Sequence, residues 1–409
     1  MKHIAIYCSN RINKRELFYQ ITHQSLLHNF VDLQNMRGDI ISSTIIDEWI
    51  EKEFKYDTVW SPESSSRTLE SMSSGQQRLA LANRVFSKPC DYIILDDIQS
   101  NIDASTLSQL LQMLESQSNN TLFIQIFDRK VDLLPYIKTV LHLTKDFVLK
   151  PFDLHKVHNV DQIDEASTFV QIGHLLKEVL HFDPLVAMQG VTISYHDLPV
   201  LNNINWTIKP GQFWELSGPI GSGKSTLLSM IIGDNPKAFG QNIKLFGIQK
   251  GTGESVWEIK KNIGYFYPKM LQLFKRNYTN EEMLLSGFYD SIGLYTTPTE
   301  YHKYIAHQWL DILGRDFRVK KFQDLSYGQQ RIVMIVRAMI KQPPLLILDE
   351  PTVGLDDANA SLLVSLINTI AAEQKIAIIF VSHRKESKLN PNFVLKLIPS
   401  QEGSKGIIS

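Results

Sequence analysis

The sequence predicts an α/β fold that is built twice, as two domains in tandem. The segments Ser-Gly-Gln-Gln-Arg at 74–78 and Tyr-Gly-Gln-Gln-Arg at 327–331 recur at an offset of 253 residues, and apolar segments ending in acidic pairs recur at the same offset. These segments are continuously apolar, as strands of a parallel sheet are when both faces are covered. They alternate with helical patterns, which is the order of α/β proteins. We therefore expect domains at 1–150 and 185–400, joined by a linker at 151–184 with one short amphipathic helix.

The elements of the second copy can be assigned in chain order. A strand-like segment leads into a glycine-rich loop, and a helix-like segment follows that loop. Two helix–strand pairs come later, and the first of these helices is mostly apolar, which favours burial. The predicted strands are 213–217, 345–348 and 376–382, and the predicted helices are 226–232, 330–340 and about 358–373.

Composition excludes several classes of protein. The 409 residues include 42 Lys and Arg and 43 Asp and Glu, so the net charge of −1 argues against a chain that coats nucleic acid. Cys8 and Cys90 are too few for a disulfide scaffold or a four-thiolate zinc site. No apolar run approaches the roughly 18 residues needed to cross a bilayer, and the first residues lack the features of a signal peptide. We expect a cytoplasmic chain with no membrane span of its own.

A phosphate-binding motif follows the first strand of the second copy. Gly-Pro-Ile-Gly-Ser-Gly-Lys-Ser-Thr at 218–226 matches the P-loop pattern, and the flanking strand and helix are the context that the motif requires. Its glycines let backbone N–H groups turn toward phosphate oxygens, the helix N-terminus favours negative charge, and the lysine supplies a positive charge. The residues predicted to bind ATP here are Gly218, Pro219, Gly221, Ser222, Gly223, Lys224, Ser225 and Thr226, with Ser225 also a Mg²⁺ ligand.

Two later positions complete the predicted chemistry. Asp349 and Glu350 end the strand at 345–348, where carboxylates reach the ligand crevice of an open α/β sheet. We expect Asp349 to hold Mg²⁺ and Glu350 to orient and deprotonate the attacking water. His383 follows the next strand and is placed to contact the γ-phosphate. An acidic pair or a histidine at a strand end is often only a solvated turn, so these roles depend on the link to the P-loop.

The order of these motifs resembles that of an ATP-binding cassette ATPase. The P-loop is followed by Leu-Ser-Tyr-Gly-Gln-Gln at 325–330, the strand with Asp-Glu, Gly-Leu-Asp at 354–356 and Ser-His at 382–383. Within that family the segments at 201–206, 253–265, 285–293 and 308–314 resemble the tandem-cassette ModF and PhrA type, named for molybdenum transport and photorepair. The resemblance covers nearly all of 185–385 and is looser over 1–150. It implies P-loop NTPase domains of the ABC type that use ATP and Mg²⁺.

The resemblance also implies further site residues. Tyr195, which lies 23 residues before Gly218, corresponds to the aromatic residue that stacks on adenine, although it could equally be a core residue. In this family two cassettes pair head to tail, and each ATP touches the P-loop of one and the signature of the other. The second copy's P-loop is thus expected to pair, within the chain, with the first copy's signature residues. These are Ser73, Ser74, Gly75 and Gln76.

The first copy departs from the pattern and is predicted to be truncated and degenerate. Lys14 stands where the P-loop lysine would be, but the glycines are missing and Arg15 replaces the Mg²⁺-binding hydroxyl residue. Asp97 stands at the catalytic glutamate position and Asp128 at the histidine position. About 43 residues are missing between the lysine and the signature, and the adenine-stacking strand is absent. We expect one catalytic site per chain, with Lys14 dispensable.

We expect Ser326 and Gly328 to face the opposite, degenerate site. Gly328 should therefore tolerate substitution better than Gly75 does. The alternative reading is that the first copy is a decayed scaffold whose Ser-Gly-Gln turn is only structural.

Two functions remain open. The ModF-type resemblance implies the energising ATPase of a molybdate-type transporter, which meets a transmembrane permease subunit at the inner face of the plasma membrane. Against this, Pro268 stands where cassettes usually carry the glutamine that couples ATP to the permease. The second possibility is a soluble tandem cassette that acts on a ribosome or nucleic acid, although the short linker lacks the long charged helix of translation-type cassettes.

Overall fold

Two α/β units make up the chain in the computed structural model. The structure describes residues 2–8, 12–23, 26–56, 68–99, 102, 104–144, 146–152, 172–176, 182–274, 276–382, 386 and 388–409. Unit one comprises Met1–Gln162 and the short segment Gly354–Asp357, and unit two comprises Ile163–Val353 and Ala358–Ser409. The predicted α/β class and tandem arrangement are confirmed.

Unit one is built on a sheet of six described strands in the order β2-β3-β4-β1-β5-β6. All neighbours are parallel except β5 and β6, which are antiparallel. Every residue of β3 and β4 is buried, because apolar side chains pack on both faces. The strands are β1 Ile4–Tyr7, β2 Gly38–Ile41, β3 Tyr92–Asp96, β4 Leu122–Phe127, β5 Thr139–Leu143 and β6 Leu149–Pro151. The helices are α1 Lys14–His23, α2 Ser43–Tyr56, α3 Ser74–Phe86 and α4 Ala104–Gln117.

Unit two repeats this sheet and adds a second one. Its main sheet has the order β12-β13-β14-β9-β15-β16, and an antiparallel sheet has the order β11-β10-β7-β8. The strands are β7 Val186–Tyr195, β8 Leu198–Ile208, β9 Phe213–Ser217, β10 Asn242–Leu245, β11 Ile248–Gln249, β12 Ile263–Phe266, β13 Leu345–Asp349, β14 Ala377–Val381, β15 Phe393–Ile398 and β16 Lys405–Ile408. The helices are α5 Lys224–Ile232, α6 Val256–Lys260, α7 Asn280–Gly287, α8 Glu300–Leu313, α9 Arg315–Val319, α10 Tyr327–Met339 and α11 Asp357–Ala372.

The two main sheets have equivalent strand orders. In each main sheet, the strand that is first in sequence, β1 or β9, lies fourth in the order of neighbours. The strand that is last in sequence, β6 or β16, forms an antiparallel edge. Among the residues that the structure describes, unit one has no counterpart of the antiparallel β7–β11 sheet. The first copy is therefore truncated, as predicted, but it keeps the sheet that positions a site at its carboxyl edge.

The predicted elements of unit two lie close to the observed ones. The strand at 213–217 has the predicted bounds, and the helix predicted at 226–232 begins two residues earlier, at Lys224. The helix predicted at 330–340 begins three residues earlier, at Tyr327, because Ser326 caps it. These differences concern helix starts, where a cap rather than an apolar pattern decides the first residue.

The predicted linker helix falls mostly on residues 153–171 and 177–181, which lie outside the described residues. The part that is described forms a single 3₁₀ turn at Gly173–Leu175 rather than an α-helix. This turn is tied to unit two, because Lys375 Nζ donates to the Gly173 carbonyl at 2.7 Å and Gln342 Nε2 donates to the Leu175 carbonyl at 2.8 Å. The domain bounds drawn from the sequence stay a prediction.

No helix in the described part of the chain is both long and apolar enough to span a membrane.

Candidate nucleotide-binding site

The glycine-rich loop of unit two joins β9 to α5 and needs its glycines. Gly218 has φ 148°, and a Cβ there would lie 2.8 Å from the Leu397 carbonyl oxygen of the neighbouring strand. Gly223 has φ 90°, and a Cβ there would lie 2.7 Å from Leu201 Cδ2. Both positions therefore exclude a side chain through space and through backbone conformation. Gly221 also has a positive φ, but a Cβ there would meet nothing within 4 Å, so the middle of the loop is open.

Lys224 begins α5 and points back into this loop. Its ammonium donates to the carbonyls of Gly218 at 2.7 Å and Pro219 at 2.9 Å, and the residue is 6% exposed. Burial lowers the pKa of Lys224 to about 8, while the charges of Glu350 and Asp349 oppose that shift. A buried ammonium whose solvation comes mainly from carbonyls is a strong attractor for anionic oxygen.

The acidic pair lies on the same sheet edge as the loop. Asp349 pairs with Val381 of β14, and Val381 pairs with Leu216 of β9, so these three residues form one row across the sheet. Glu350 follows with φ 50°, and its N–H donates to the Val381 carbonyl at 2.9 Å. A non-glycine residue in the left-handed region is uncommon, and such outliers cluster at functional sites.

The donor set suits a magnesium ion that is held together with phosphates. Ser225 is exposed at the first turn of α5, and the negative charge of the Asp349 carboxylate acts to raise the pKa of Lys224. Within the described ranges no group of three or more His, Cys, Asp or Glu side chains is placed to hold a metal. One hydroxyl and one carboxylate are what Mg²⁺ takes from a protein when phosphates and waters complete its shell.

One buried hydroxyl in the loop is also consistent with a ligand. Ser222 is fully buried, and its Oγ has no hydrogen-bond partner among the described residues. Buried polar atoms normally have partners, so an exception in a phosphate-binding loop fits a site that a ligand completes.

Tyr195 is the last residue of β7 and is half-buried. Its hydroxyl accepts a hydrogen bond from Asn235 Nδ2 at 2.9 Å, and Lys237 Nζ lies 6.0 Å from the ring centroid. Asn235 lies 40 positions from Tyr195 and belongs to none of the sequence motifs, so the sequence does not predict this contact.

Two other predicted features can be placed only in part. His383 lies outside the described residues, so its role stays a prediction. Pro268 begins a 3₁₀ turn at Pro268–Leu273, directly after Tyr267 and β12. Proline suits the first position of such a turn, but its side chain offers no hydrogen-bond acceptor.

Comparison with known proteins agrees with this geometry. A family model described as ABC transporter matches residues 201–353. The ABC transporter ATP-binding protein ModF of Escherichia coli (strain K12) is 34% identical over 333 residues, which are 78% of this chain and 68% of that protein. This chain belongs to the ABC transporter ATP-binding protein family. As a member it is an ABC-type ATPase, and units one and two are its first and second cassettes.

Other relatives give the same picture. An uncharacterized ABC transporter ATP-binding protein of Schizosaccharomyces pombe is 31% identical over 78% of this chain and 66% of its own length. The chain thus spans about two thirds of the length of these two relatives. A solved nucleotide-free ATP-binding cassette from an ABC transporter is 20% identical and aligns with a TM-score of 0.45 over 55% of this chain and 90% of its own. At that score we conclude nothing from the superposition.

The signature segments of the two cassettes begin their helices in the same way. In the first cassette Gln76 N–H donates to Ser73 Oγ at 3.3 Å and Ser73 N–H donates to Gln76 Oε1 at 3.1 Å. In the second, Ser326 and Gln329 exchange equivalent bonds at 3.2 and 3.0 Å. This reciprocal capping box satisfies two N–H groups at the start of each helix. Capping alone therefore accounts for the Ser and Gln of both segments.

Gly328 is not the tolerant position that the sequence suggested. A Cβ at Gly328 would lie 2.3 Å from Asn359 Cγ, within the same cassette. A larger residue at 328 must displace α11 from α10, whatever it faces on its other side. The expectation that Gly328→Asp is well tolerated is corrected for this reason.

In the first cassette the lysine that corresponds to Lys224 forms an ion pair with a carboxylate of the same cassette. Lys14 begins α1 just as Lys224 begins α5, and its Nζ lies 2.6 Å from Asp96 Oδ1. Burial alone would lower the pKa of Lys14, but the Asp96 carboxylate raises it above its usual range. Asp96 occupies the place of Asp349, so the first cassette joins the counterparts of Lys224 and Asp349 to each other.

A small cavity of about 20 Å³ lies beside this ion pair. It is lined by Lys14, Asp97, Gln125, Asp128 and Asp132, among others. This volume is about that of one water, whereas ligand pockets are commonly several hundred Å³. Burial raises the pKa of Asp128 to about 7, and the charges of Asp97 and Asp132 add to the effect while Lys14 opposes it.

We expect Lys14→Met to destabilise the first cassette by about 2–4 kcal/mol, because it leaves Asp96 buried without its counter-ion. This cost is below that of a fully buried pair, since 28% of the Lys14 side chain is exposed. The expectation that ATPase activity does not need Lys14 stays a prediction, and this cost concerns folding alone. Denaturant unfolding of Lys14→Met, Asp96→Asn and the double variant measures the pair, and additive losses would contradict it.

Asp128 should make stability depend on pH. Its carboxyl holds a proton in the folded chain up to about pH 7 but loses it near its ordinary value of 3.8 when unfolded. Stability from this group therefore falls as pH rises from about 4 to 7, and the full loss is present above pH 7. Asp128→Asn should raise the free energy of unfolding by on the order of 2 kcal/mol at pH 8 and little at pH 4. An equal gain at both pH values would show that Asp128 is not the titrating group.

Proposed function

We propose that the second cassette forms the chain's one ATP site and that its ATPase cycle energises a membrane permease. The observation that carries the single-site proposal is the contrast between two equivalent lysines. Among the described residues Lys224 Nζ donates to two carbonyls of a glycine loop, whereas Lys14 Nζ is 2.6 Å from a carboxylate. Phosphate can replace two neutral carbonyls far more easily than it can displace a carboxylate.

Each residue has a proposed role in the site. The loop at 218–223 and the N-terminus of α5 bind the phosphates, with Lys224 contacting the β- and γ-phosphates. Ser225 and Asp349 hold Mg²⁺, which neutralises charge on the phosphates. Glu350 orients the attacking water and accepts its proton, while Tyr195 stacks on the adenine. His383 contacts the γ-phosphate in this proposal.

The contribution of the first cassette's signature stays a prediction. Ser73 and Gln76 already serve in a capping box, so in this proposal Ser74, Gly75 and the N-terminal turn of α3 are the parts of the signature that meet a phosphate.

The permease role rests on the relatives. The two relatives described above, which each align with 78% of this chain, are both named ABC transporter ATP-binding proteins, and the ModF-type resemblance gives molybdate as the proposed substrate. Pro268 favours a second candidate, a tandem cassette that acts on a ribosome or another non-membrane partner. The reason is that proline replaces the glutamine that usually couples ATP to the permease. Purification from detergent-extracted membranes and from the soluble fraction separates the two, since only the first predicts a co-purifying integral membrane protein.

The chain should bind one Mg–ATP. Lys224→Ala removes the only charge that the loop offers and should reduce ATP affinity by roughly 10-fold or more. Isothermal titration calorimetry gives both the stoichiometry and the affinity. Two tight ATP per chain, or unchanged affinity in Lys224→Ala, would rule out the proposed single site.

Glu350→Gln should keep ATP binding and lose turnover. Glutamine preserves shape and hydrogen bonding but cannot take a proton, so the rate should fall by roughly 10²–10⁴-fold. The matched control is Asp97→Asn, the equivalent position in the first cassette, whose φ of 51° repeats that of Glu350. Steady-state phosphate release measures both, and a similar loss in the two variants would show that the catalytic assignment is wrong.

A further inference from the structure

The loop after the P-loop helix is bonded to Tyr195. Asn235 is 5% exposed, and its Nδ2 donates to Tyr195 Oη at 2.9 Å and to Ser229 Oγ at 3.0 Å. Ser229 belongs to α5, the helix that begins at Lys224. A single side-chain amide therefore links the end of β7 to the helix that carries the P-loop lysine.

The orientation of this amide is fixed by its neighbours. The Lys237 backbone N–H donates to Asn235 Oδ1 at 3.0 Å, and an N–H can be accepted only by the oxygen end. The nitrogen end then faces both hydroxyls. Ser229 Oγ already donates to the Thr226 carbonyl at 2.7 Å, so it is free to accept. The oxygen and both N–H groups of the amide are thus committed, which leaves it one orientation.

The backbone of Asn235 is tied to the same helix. Asp234 N–H and Asn235 N–H both donate to the Ser229 carbonyl, at 2.9 and 3.1 Å, after Gly233 ends α5 in a left-handed conformation. This places Asn235 as a rigid extension of α5. Tyr195, by contrast, precedes a two-residue hairpin turn with positive φ values at His196 and Asp197, and its half-buried ring packs against the hydrophobic core of unit two.

We propose that Asn235 is a positioning residue for the base of ATP: it holds the Tyr195 ring at a set distance from the P-loop helix. Asn235 acts through Tyr195 and touches no reacting atom. This inference rests on the proposed nucleotide site and adds a residue to it. Lys237, whose ammonium lies over the same ring, comes from the same loop and reinforces the placement.

The proposal has a signature that a general structural role lacks. A misplaced ring weakens contact with the base but leaves contacts with the phosphates intact. Loss of the bond should therefore raise KM for ATP more than it lowers kcat. Affinity for inorganic tripolyphosphate, which has phosphates but no base, should stay unchanged.

The experiment compares Tyr195→Phe, Asn235→Ala and the double variant. Tyr195→Phe keeps an aromatic ring and removes only the hydroxyl. Each single change should raise KM for ATP about 2- to 10-fold, the range expected for one neutral hydrogen bond. The double variant should be no worse than the worse single variant, because both remove the same bond. Asn242→Ala is the matched control. It removes an exposed amide of β10 that is hydrogen-bonded to Gln189 of β7, the strand that also carries Tyr195, and the KM of this variant should not change.

The opposing outcomes are distinct. Additive effects, an unchanged KM in Tyr195→Phe, or an equal loss of tripolyphosphate affinity in Asn235→Ala would overturn the positioning role. If Asn235→Ala does not fold, Tyr195→Phe with the two ligands decides the question alone. If the proposed nucleotide site itself is wrong, a different result is expected. Lys224→Ala would then bind both ATP and tripolyphosphate as tightly as the unchanged protein does.

Discussion

Taking a lysine ammonium out of water is costly unless other groups solvate it. Both cassettes place such a lysine at the first position of the helix that follows the first strand of the main sheet. In the second cassette, carbonyls of a glycine loop surround Lys224 and the acidic pair stands nearby. In the first, Asp96 supplies a full negative charge to Lys14. Whether the acidic residue at the strand end is bonded to the lysine therefore separates the two sites.

The shared sheet explains why the rest of the site geometry survives in both cassettes. The residue after the acidic strand end has a left-handed backbone in each, with φ 51° at Asp97 and 50° at Glu350. The two signature helices also start with the same capping box. These features belong to backbone architecture, so they persist after the chemistry of a site has changed. At the position after the acidic strand end the two cassettes share the backbone conformation and differ in the side chain, Asp97 in the first and Glu350 in the second.

Features with a local cause could be predicted from sequence. The P-loop, the strand at 213–217 and the acidic strand end follow from residue type and apolar pattern, and the structure places them on one sheet edge. Contacts between distant positions could not. Asp96 lies 82 positions from Lys14, Asn235 lies 40 from Tyr195, and Asn359 meets Gly328 from another helix. Each depends on how elements pack, which no local pattern encodes.

The Lys14–Asp96 pair has a consequence for the history of this chain. Restoring the lost glycines to the loop at 8–13 would still leave a phosphate to compete with a carboxylate 2.6 Å from the ammonium. Removing Asp96 first would strand Lys14 without a counter-ion, in a loop not yet able to cradle phosphate. Neither single step regains nucleotide binding, and the second lowers stability. On the proposed single-site arrangement, a return to nucleotide binding therefore needs more than one substitution, and the order that removes Asp96 first passes through a less stable protein.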